Sequence, residues 1–176
     1  MTLAPRLATI ADLDALSALM DRAIGQLQRG FIDDAQIAAS RAIMGIDRQL
    51  IDDCTYFLVT LDGVLAGCGG WSRRATLYGG HDAGHLRQPR LLDPATEPAR
   101  IRTMYTDPAC ARRGVGRYVI ATCEAAARAA GFARAQLMAT LSGEPLYRAC
   151  GYSVMETISD ASGGAAVPLL RMEKPL

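Results

Sequence analysis

The sequence predicts an α/β fold of the α+β kind, and three observations predict it. Two helical stretches open the chain, a β-hairpin follows at about 55–66, and a strand-helix-strand unit occupies about 100–139. The expected element order is β-α-α-β-β-β-α-β-α-β-β, within one domain spanning 1–176. A chain of 176 residues that is 50% apolar and 21% charged has the size and balance for one such core.

The elements follow from local pattern. After an extended start at Arg6–Ile10, Thr9 with Asp12 three residues on fits a capping box, and Leu13, Leu16, Met20, Ile24 and Leu27 recur at helical spacing. Gly30 and Asp33-Asp34 interrupt this helix before a second one, about Ala35 to Gly45, rich in alanine and isoleucine. Thr55–Leu61, then Asp62-Gly63, then Val64-Leu65-Ala66 reads as strand, two-residue turn and return strand. Gly67, Gly69 and Gly70 weaken that return strand unless something must approach its backbone closely or a bulge is required. From Arg74 to about Pro98 no period holds, and His81, His85, Pro89 and Pro94 are scattered through it. A loop this long in a compact domain is usually functional or mobile.

A strand at Arg100–Thr106 ends in Asp107-Pro108. A helix is expected from about Val115 to Ala130, with Val119, Cys123, Ala126, Ala127 and Ala130 as its inner stripe and Gly131 as its stop. A strand at Ala133–Ala139 follows, then a short helix at Pro145–Ala149 capped by Ser142, and strands near Tyr152–Ile158 and Val167–Glu173. The last strands could present an edge for a homodimer.

Composition excludes several classes. The 19 basic and 18 acidic residues leave a net charge of +1, without the field that draws proteins to nucleic acid. No run approaches bilayer-spanning length and no leader pattern is present, so a cytoplasmic chain without a membrane partner is expected. Cys54, Cys68, Cys110, Cys123 and Cys150 lack close pairing. Reduced thiols are expected, with no disulfide framework and no metal site.

The chemistry-bearing motif is Ala111-Arg112-Arg113-Gly114-Val115-Gly116-Arg117, which joins the strand at 100–106 to the following helix. A helix N-terminus offers unpaired N–H groups and positive partial charge, and glycines let a pyrophosphate approach them. Three arginines add formal charge. Val119 stands where a dinucleotide fingerprint needs its third glycine, and no Gly-Lys-Ser/Thr follows as in a P-loop.

These residues resemble the GNAT superfamily of acyl-CoA-dependent N-acyltransferases, whose signature is Gln/Arg-x-x-Gly-x-Gly/Ala between the fourth strand and the next helix. The stretch Met104–Pro108 through Arg117–Ile120 matches that block, with Ala111 in place of the usual first Gln/Arg. Gly143-Glu144-Pro145-Leu146-Tyr147-Arg148-Ala149-Cys150-Gly151-Tyr152 looks like a second family segment. The resemblance implies a mixed, mostly antiparallel sheet of about six to seven strands with helices on both faces. It also implies acetyl-CoA as co-substrate. Arg112, Arg113, Gly114, Val115, Gly116 and Arg117 would hold its diphosphate, and Met104, Tyr105 and Thr106 its pantetheine arm. Tyr147 would protonate the departing thiolate.

The implied reaction is direct attack of a primary amine, of a small molecule, on the thioester, with backbone donors on the developing oxyanion. A non-catalytic acyl-CoA sensor and a protein or peptide acetyltransferase are the alternatives. Many relatives carry a glutamate on the fourth strand as the route for the amine's proton, and this chain has Arg102 near that place. His81 on the loop, or a water relay from a weakly basic amine, stand as alternatives. Trp71, Arg73 and Arg102 are the expected substrate contacts, with Arg74 and Tyr78 nearby, and an arginine cluster suits a carboxylate or phosphate on the acceptor. Met20, Ile43 and Met44 could wall an apolar pocket, although core packing explains them better.

Overall fold

The computed structural model describes residues 1–176. Its strands are β1 (Leu3–Leu7), β2 (Tyr56–Leu61), β3 (Val64–Ser72), β4 (Ala99–Thr106), β5 (Arg134–Thr140), β6 (Ser153–Asp160) and β7 (Val167–Pro175). They form one seven-stranded sheet in the order β1-β2-β3-β4-β5-β7-β6. Every neighbouring pair is antiparallel except β4 with β5. The helices are α1 (Leu13–Leu27), α2 (Asp34–Ser40), α3 (Arg48–Asp52), α4 (Val115–Ala129) and α5 (Glu144–Ala149).

The sheet buries both faces. On one, α4 lays Val115, Val119, Ile120, Cys123 and Ala127 against Val59, Leu61, Ala66, Ile101 and Leu137. On the other, Leu16, Leu19, Met20, Ala23 and Ile24 of α1 pack with Leu50, Tyr56, Leu58, Cys68 and Tyr105. Strand β2 serves both layers, Tyr56 and Leu58 pointing to α1, and Val59 and Leu61 to α4, as period-two alternation requires. The glycines of β3 have a packing reason. A Cβ on Gly67 would stand 2.6 Å from Val115 Cγ1 and 3.0 Å from the Tyr105 carbonyl, so only glycine lets α4 settle this close.

The β2–β3 hairpin turns on Asp62 and Gly63, both at positive φ (51° and 85°), the conformation a tight two-residue turn demands. The start of the chain differs from expectation. The strand lies at Leu3–Leu7, and the Thr9/Asp12 capping box opens a 3-10 turn that leads into α1. The second helix stops at Ser40, whose hydroxyl turns back to the Ile37 carbonyl at 2.8 Å and accepts from Gln28 at 3.0 Å. A further helix, α3, then starts where the Asp47 carboxylate accepts the Gln49 N–H. Ser142 does not cap α5. Thr140 Oγ1 takes the Gly143 N–H instead, at 3.2 Å. Val167–Glu173 is not an edge either: β7 pairs with β5 on one side and β6 on the other, which leaves β6 at the margin.

The 73–98 segment is a folded loop. Leu92 N–H donates to the Arg73 carbonyl (2.7 Å) and Ala75 N–H to the Arg90 carbonyl (2.9 Å), closing its base. Arg74 grips Asp53 through two bonds of 2.7 and 2.8 Å, and His81 N–H reaches the Ile46 carbonyl at 2.8 Å. The loop therefore lies across the region between α2 and α3.

Candidate active site

The site begins with a split in the sheet. Strands β4 and β5 pair at Ala99↔Ala135, Arg100↔Gln136 and Ile101↔Leu137, and beyond Ile101 no backbone pair joins them. The divergence coincides with a bulge: Thr103 and Met104 of β4 stand opposite a single β3 residue, Gly69, between the Cys68↔Tyr105 and Gly70↔Arg102 pairs. Thr103 lies at φ 48°, an uncommon conformation for a β-branched residue. The hydroxyl of the fully buried Tyr56 donates to its carbonyl at 3.0 Å and fixes that backbone.

The open end of the split holds a cavity of about 90 Å³. Strand β4 lines it from Ile101 to Tyr105, and β5 contributes Met138 and Thr140. Tyr147 of α5 and Leu169 of β7 close one side, Ile43, Met44 and Gly45 another, and Leu77, Tyr78 and Gly79 of the long loop roof it. Tyr147 is 8% exposed, packs edge-on against Tyr152 with centroids 6.0 Å apart, and its hydroxyl bonds to no protein group. Burial pushes its phenol well above the ordinary tyrosine value, so it carries a proton throughout the neutral range. Tyr105 is committed elsewhere: its oxygen accepts the Gly45 N–H at 2.9 Å.

Strand β4 leads straight into the arginine turn. Asp107 accepts the Ala109 N–H and is gripped by Arg22 of α1 at 2.6 and 3.1 Å, which locks the strand's exit. Arg112 (φ 62°) and Gly114 (φ 83°) then adopt left-handed backbone and swing the chain into α4. The N–H groups of Arg112 through Arg117 have no acceptor in the protein, and the first helical bond is Tyr118 N–H to the Gly114 carbonyl. Arg112, Arg113 and Arg117 are exposed and make no ion pair. A Cβ on Gly116 would stand 2.7 Å from Leu146 and 3.3 Å from Thr106 Oγ1. Free donors, three cations and a glycine floor fit a diphosphate group.

Other candidates separate. Arg102 lines the cavity but is 4% exposed and spends its guanidinium on Asp47 (2.6 Å) and the Gly79 carbonyl (2.6 Å), leaving Nε without a partner. Trp71 sits in the α4-side core, edge-on to Phe132, with Arg73 stacked over it at 5.5 Å; neither lines the cavity. Arg74 is the Asp53 anchor, whereas Tyr78 does line the cavity and donates to Asp160 at 2.8 Å. His81 belongs to an adjoining polar cleft of about 310 Å³, with Met20, Arg41, Arg48 and Asp82. The two spaces share Met44 and Gly45. Asp47 and the place of the bulge at Thr103 escaped sequence reasoning, and Gly45 entered it only as the end of the second helix. The traces were the β3 glycines, which allow a bulge, and Asp47 as a capping residue two positions ahead of Gln49.

The Acetyltransferase (GNAT) family model matches residues 19–152, most of the chain and all of the split and the turn. The chain belongs to the GNAT family. Acyl-CoA-dependent N-acyl transfer, with acetyl-CoA as co-substrate, is the chemistry of that family. The fold agrees with solved GNAT structures at low identity. The GCN5-related N-acetyltransferase of Rhodopseudomonas palustris is 19% identical with a TM-score of 0.73, covering 100% of this chain and 97% of that one. The PaiA N-acetyltransferase of Thermoplasma acidophilum, solved with coenzyme A, is 14% identical with a TM-score of 0.66 and 100% coverage of both chains. The ribosomal-protein-S18-alanine N-acetyltransferase of Escherichia coli is 15% identical with a TM-score of 0.60, covering 99% of this chain and 94% of that one. No curated protein sequence matches the chain. No helix of this GNAT chain is long and apolar enough to cross a membrane.

Proposed function

We propose that this GNAT protein transfers an acetyl group from acetyl-CoA to a primary amine of a small molecule by direct attack on the thioester. The observation that carries the reading is a coincidence of place. Tyr147, whose hydroxyl bonds to no protein group, and the bulged backbone of β4 line one cavity at the split, and the free N–H row of Arg112–Arg117 follows on from β4, with Gly116 beside Thr106 of that strand and Leu146 of α5. The N–H groups and the cations of Arg112, Arg113 and Arg117 hold the diphosphate. Met104, Tyr105 and Thr106 present strand backbone to the pantetheine amides and the thioester carbonyl. The amine nitrogen forms the C–N bond as the C–S bond breaks, and Tyr147 gives its proton to the departing sulfur. A small-molecule acceptor is favoured because the 73–98 loop roofs the cavity instead of leaving an open groove for a peptide. Five free cysteines fit a reducing, cytoplasmic setting.

Thiol release from acetyl-CoA against a panel of small amines and peptides tests the reading. The native chain is expected to turn over a small amine, and Tyr147→Phe to lower kcat by about 10² or more with little change in the KM for acetyl-CoA. Binding of acetyl-CoA without turnover of any acceptor would favour a sensor. Turnover confined to peptides would favour a protein acetyltransferase.

A further inference from the structure

The reaction cavity holds a cation and no proton acceptor, and this bears on which amine it can take. From β4 the titratable groups facing it are Arg102 and Tyr105, from the roofing loop Tyr78, and from α5 Tyr147. The 43–45 segment, β5 and β7 present Ile43, Met44, Gly45, Met138, Thr140 and Leu169, none of which titrates. The carboxylates bonded to these lining side chains are occupied. Asp47 Oδ2 accepts from Arg102 at 2.6 Å, while Oδ1 accepts from Arg87 and from the Gln49 N–H, both at 3.1 Å. Asp160 accepts from Tyr78 and from Ser162. Two guanidiniums share one carboxylate, so the Arg102–Asp47–Arg87 cluster carries a net positive charge behind the cavity wall.

Inside the cavity an ammonium ion loses its water and meets a like charge with no anion in the lining to offset either cost; Asp21 and Asp82 line only the adjoining cleft, together with Arg41, Arg48 and His81. A free amine meets neither penalty. The proton count agrees. Starting from a free amine, the nitrogen loses one proton as the amide forms and the sulfur gains one as the thiol leaves. Tyr147 can give the second and recover the first, so no other base is needed. Starting from an ammonium ion, one extra proton must leave, and nothing lining the cavity can take it.

Resting on the acetyltransferase reading above, we propose that the acceptor binds as the free base and that the protein selects amines of low basicity, such as aryl amines, hydrazines and hydroxylamines. The reacting nitrogen occupies the 90 Å³ cavity, and the rest of the molecule passes Met44 and Gly45 into the 310 Å³ cleft.

The test is the pH dependence of kcat/KM over about pH 6 to 9 for an aryl amine, a hydrazine and a primary alkylamine. The aryl amine is expected to give a flat profile. The alkylamine is expected to rise tenfold per unit, tracking its own deprotonation, and His81→Asn to leave both shapes unchanged. Arg102→Gln, which removes the cation and releases Asp47, is expected to raise alkylamine turnover relative to aryl amine by about tenfold. An inflection at one fixed pH for all three amines, above all one lost in His81→Asn, would overturn the proposal by revealing a protein base. Absence of thiol release with every amine, with acetyl-CoA still bound, would instead sink the acetyltransferase reading beneath it.

Discussion

At the scale of single residues, the arginine turn divides its work between backbone and side chain. Gly114 and Arg112 supply the left-handed backbone that aims the N–H groups outward, while Arg112, Arg113 and Arg117 stand exposed without acidic partners. Each cation should therefore act on an anion at the turn as an exposed charge does, strongly only in low salt. Arg113→Ala and Arg117→Ala are expected each to weaken coenzyme A binding by about tenfold at low ionic strength, with a smaller loss in high salt, as read by calorimetric titration. Arg102 differs in kind. It joins β4 to Asp47 ahead of α3 and to Gly79 in the roof, so its guanidinium positions two walls of the cavity at once. Burial lowers its affinity for a proton, with the Asp47 carboxylate opposing that effect.

At the scale of elements, the decisive one is the bulged strand β4. Tyr56 is fully buried, and its hydroxyl is the bond that holds the Thr103 carbonyl where the strand departs from β5. Tyr56→Phe is expected to cost about 1 kcal/mol in denaturant unfolding, because a part-buried carbonyl loses its donor. On the proposed binding mode it should also lower kcat more than the KM for acetyl-CoA, because the bulge would shape the backbone at the thioester and leave the turn proposed for the diphosphate alone. The sequence made the hairpin, the turn and α4 legible, since period-two alternation, Asp62-Gly63 and the Gly114–Gly116 pair are local signals. It did not reveal α3, whose five residues are too few to show a period and whose start depends on the Asp47 side chain. The β3 glycines allow for a bulge, but its place at Thr103 of β4 was hidden, because a tertiary bond from Tyr56 holds the Thr103 carbonyl. Trp71 and Arg73 illustrate a third limit. Trp71 pairs with Ile101 of β4 and Arg73 follows just past the end of β3; the glycines and irregular register of β3 decide which face Trp71 takes, and it takes the one covered by α4, with Arg73 over its ring.

At the scale of the whole molecule, the cavity is assembled from segments far apart in sequence and closed by the 73–98 loop. The Arg74–Asp53 pair anchors the base of that loop, and the Arg74 guanidinium holds the Asp53 carboxyl below its ordinary range. Its folded pKa is depressed, so the contribution of the pair is complete above the ordinary carboxylate value of about 4 and is lost as pH falls through the lower folded value. Hydrogen exchange of the Ala75 and Leu92 amides, bonded at the loop base, is expected to accelerate on acidification below about pH 4, beyond the intrinsic pH trend. In Asp53→Asn the same amides should exchange faster at neutral pH. The loop, the split and the arginine turn meet in one claim, that coenzyme A enters between β4 and β5 with its diphosphate on the N-terminus of α4. Calorimetric titration of coenzyme A into the native chain and Gly116→Glu tests it most directly, with circular dichroism to verify the fold of the variant. The account predicts one site in the native chain and loss of binding in a folded Gly116→Glu protein, in which a carboxylate and its stem fill the space beside Leu146 and Thr106. Undiminished binding in that folded variant would contradict it.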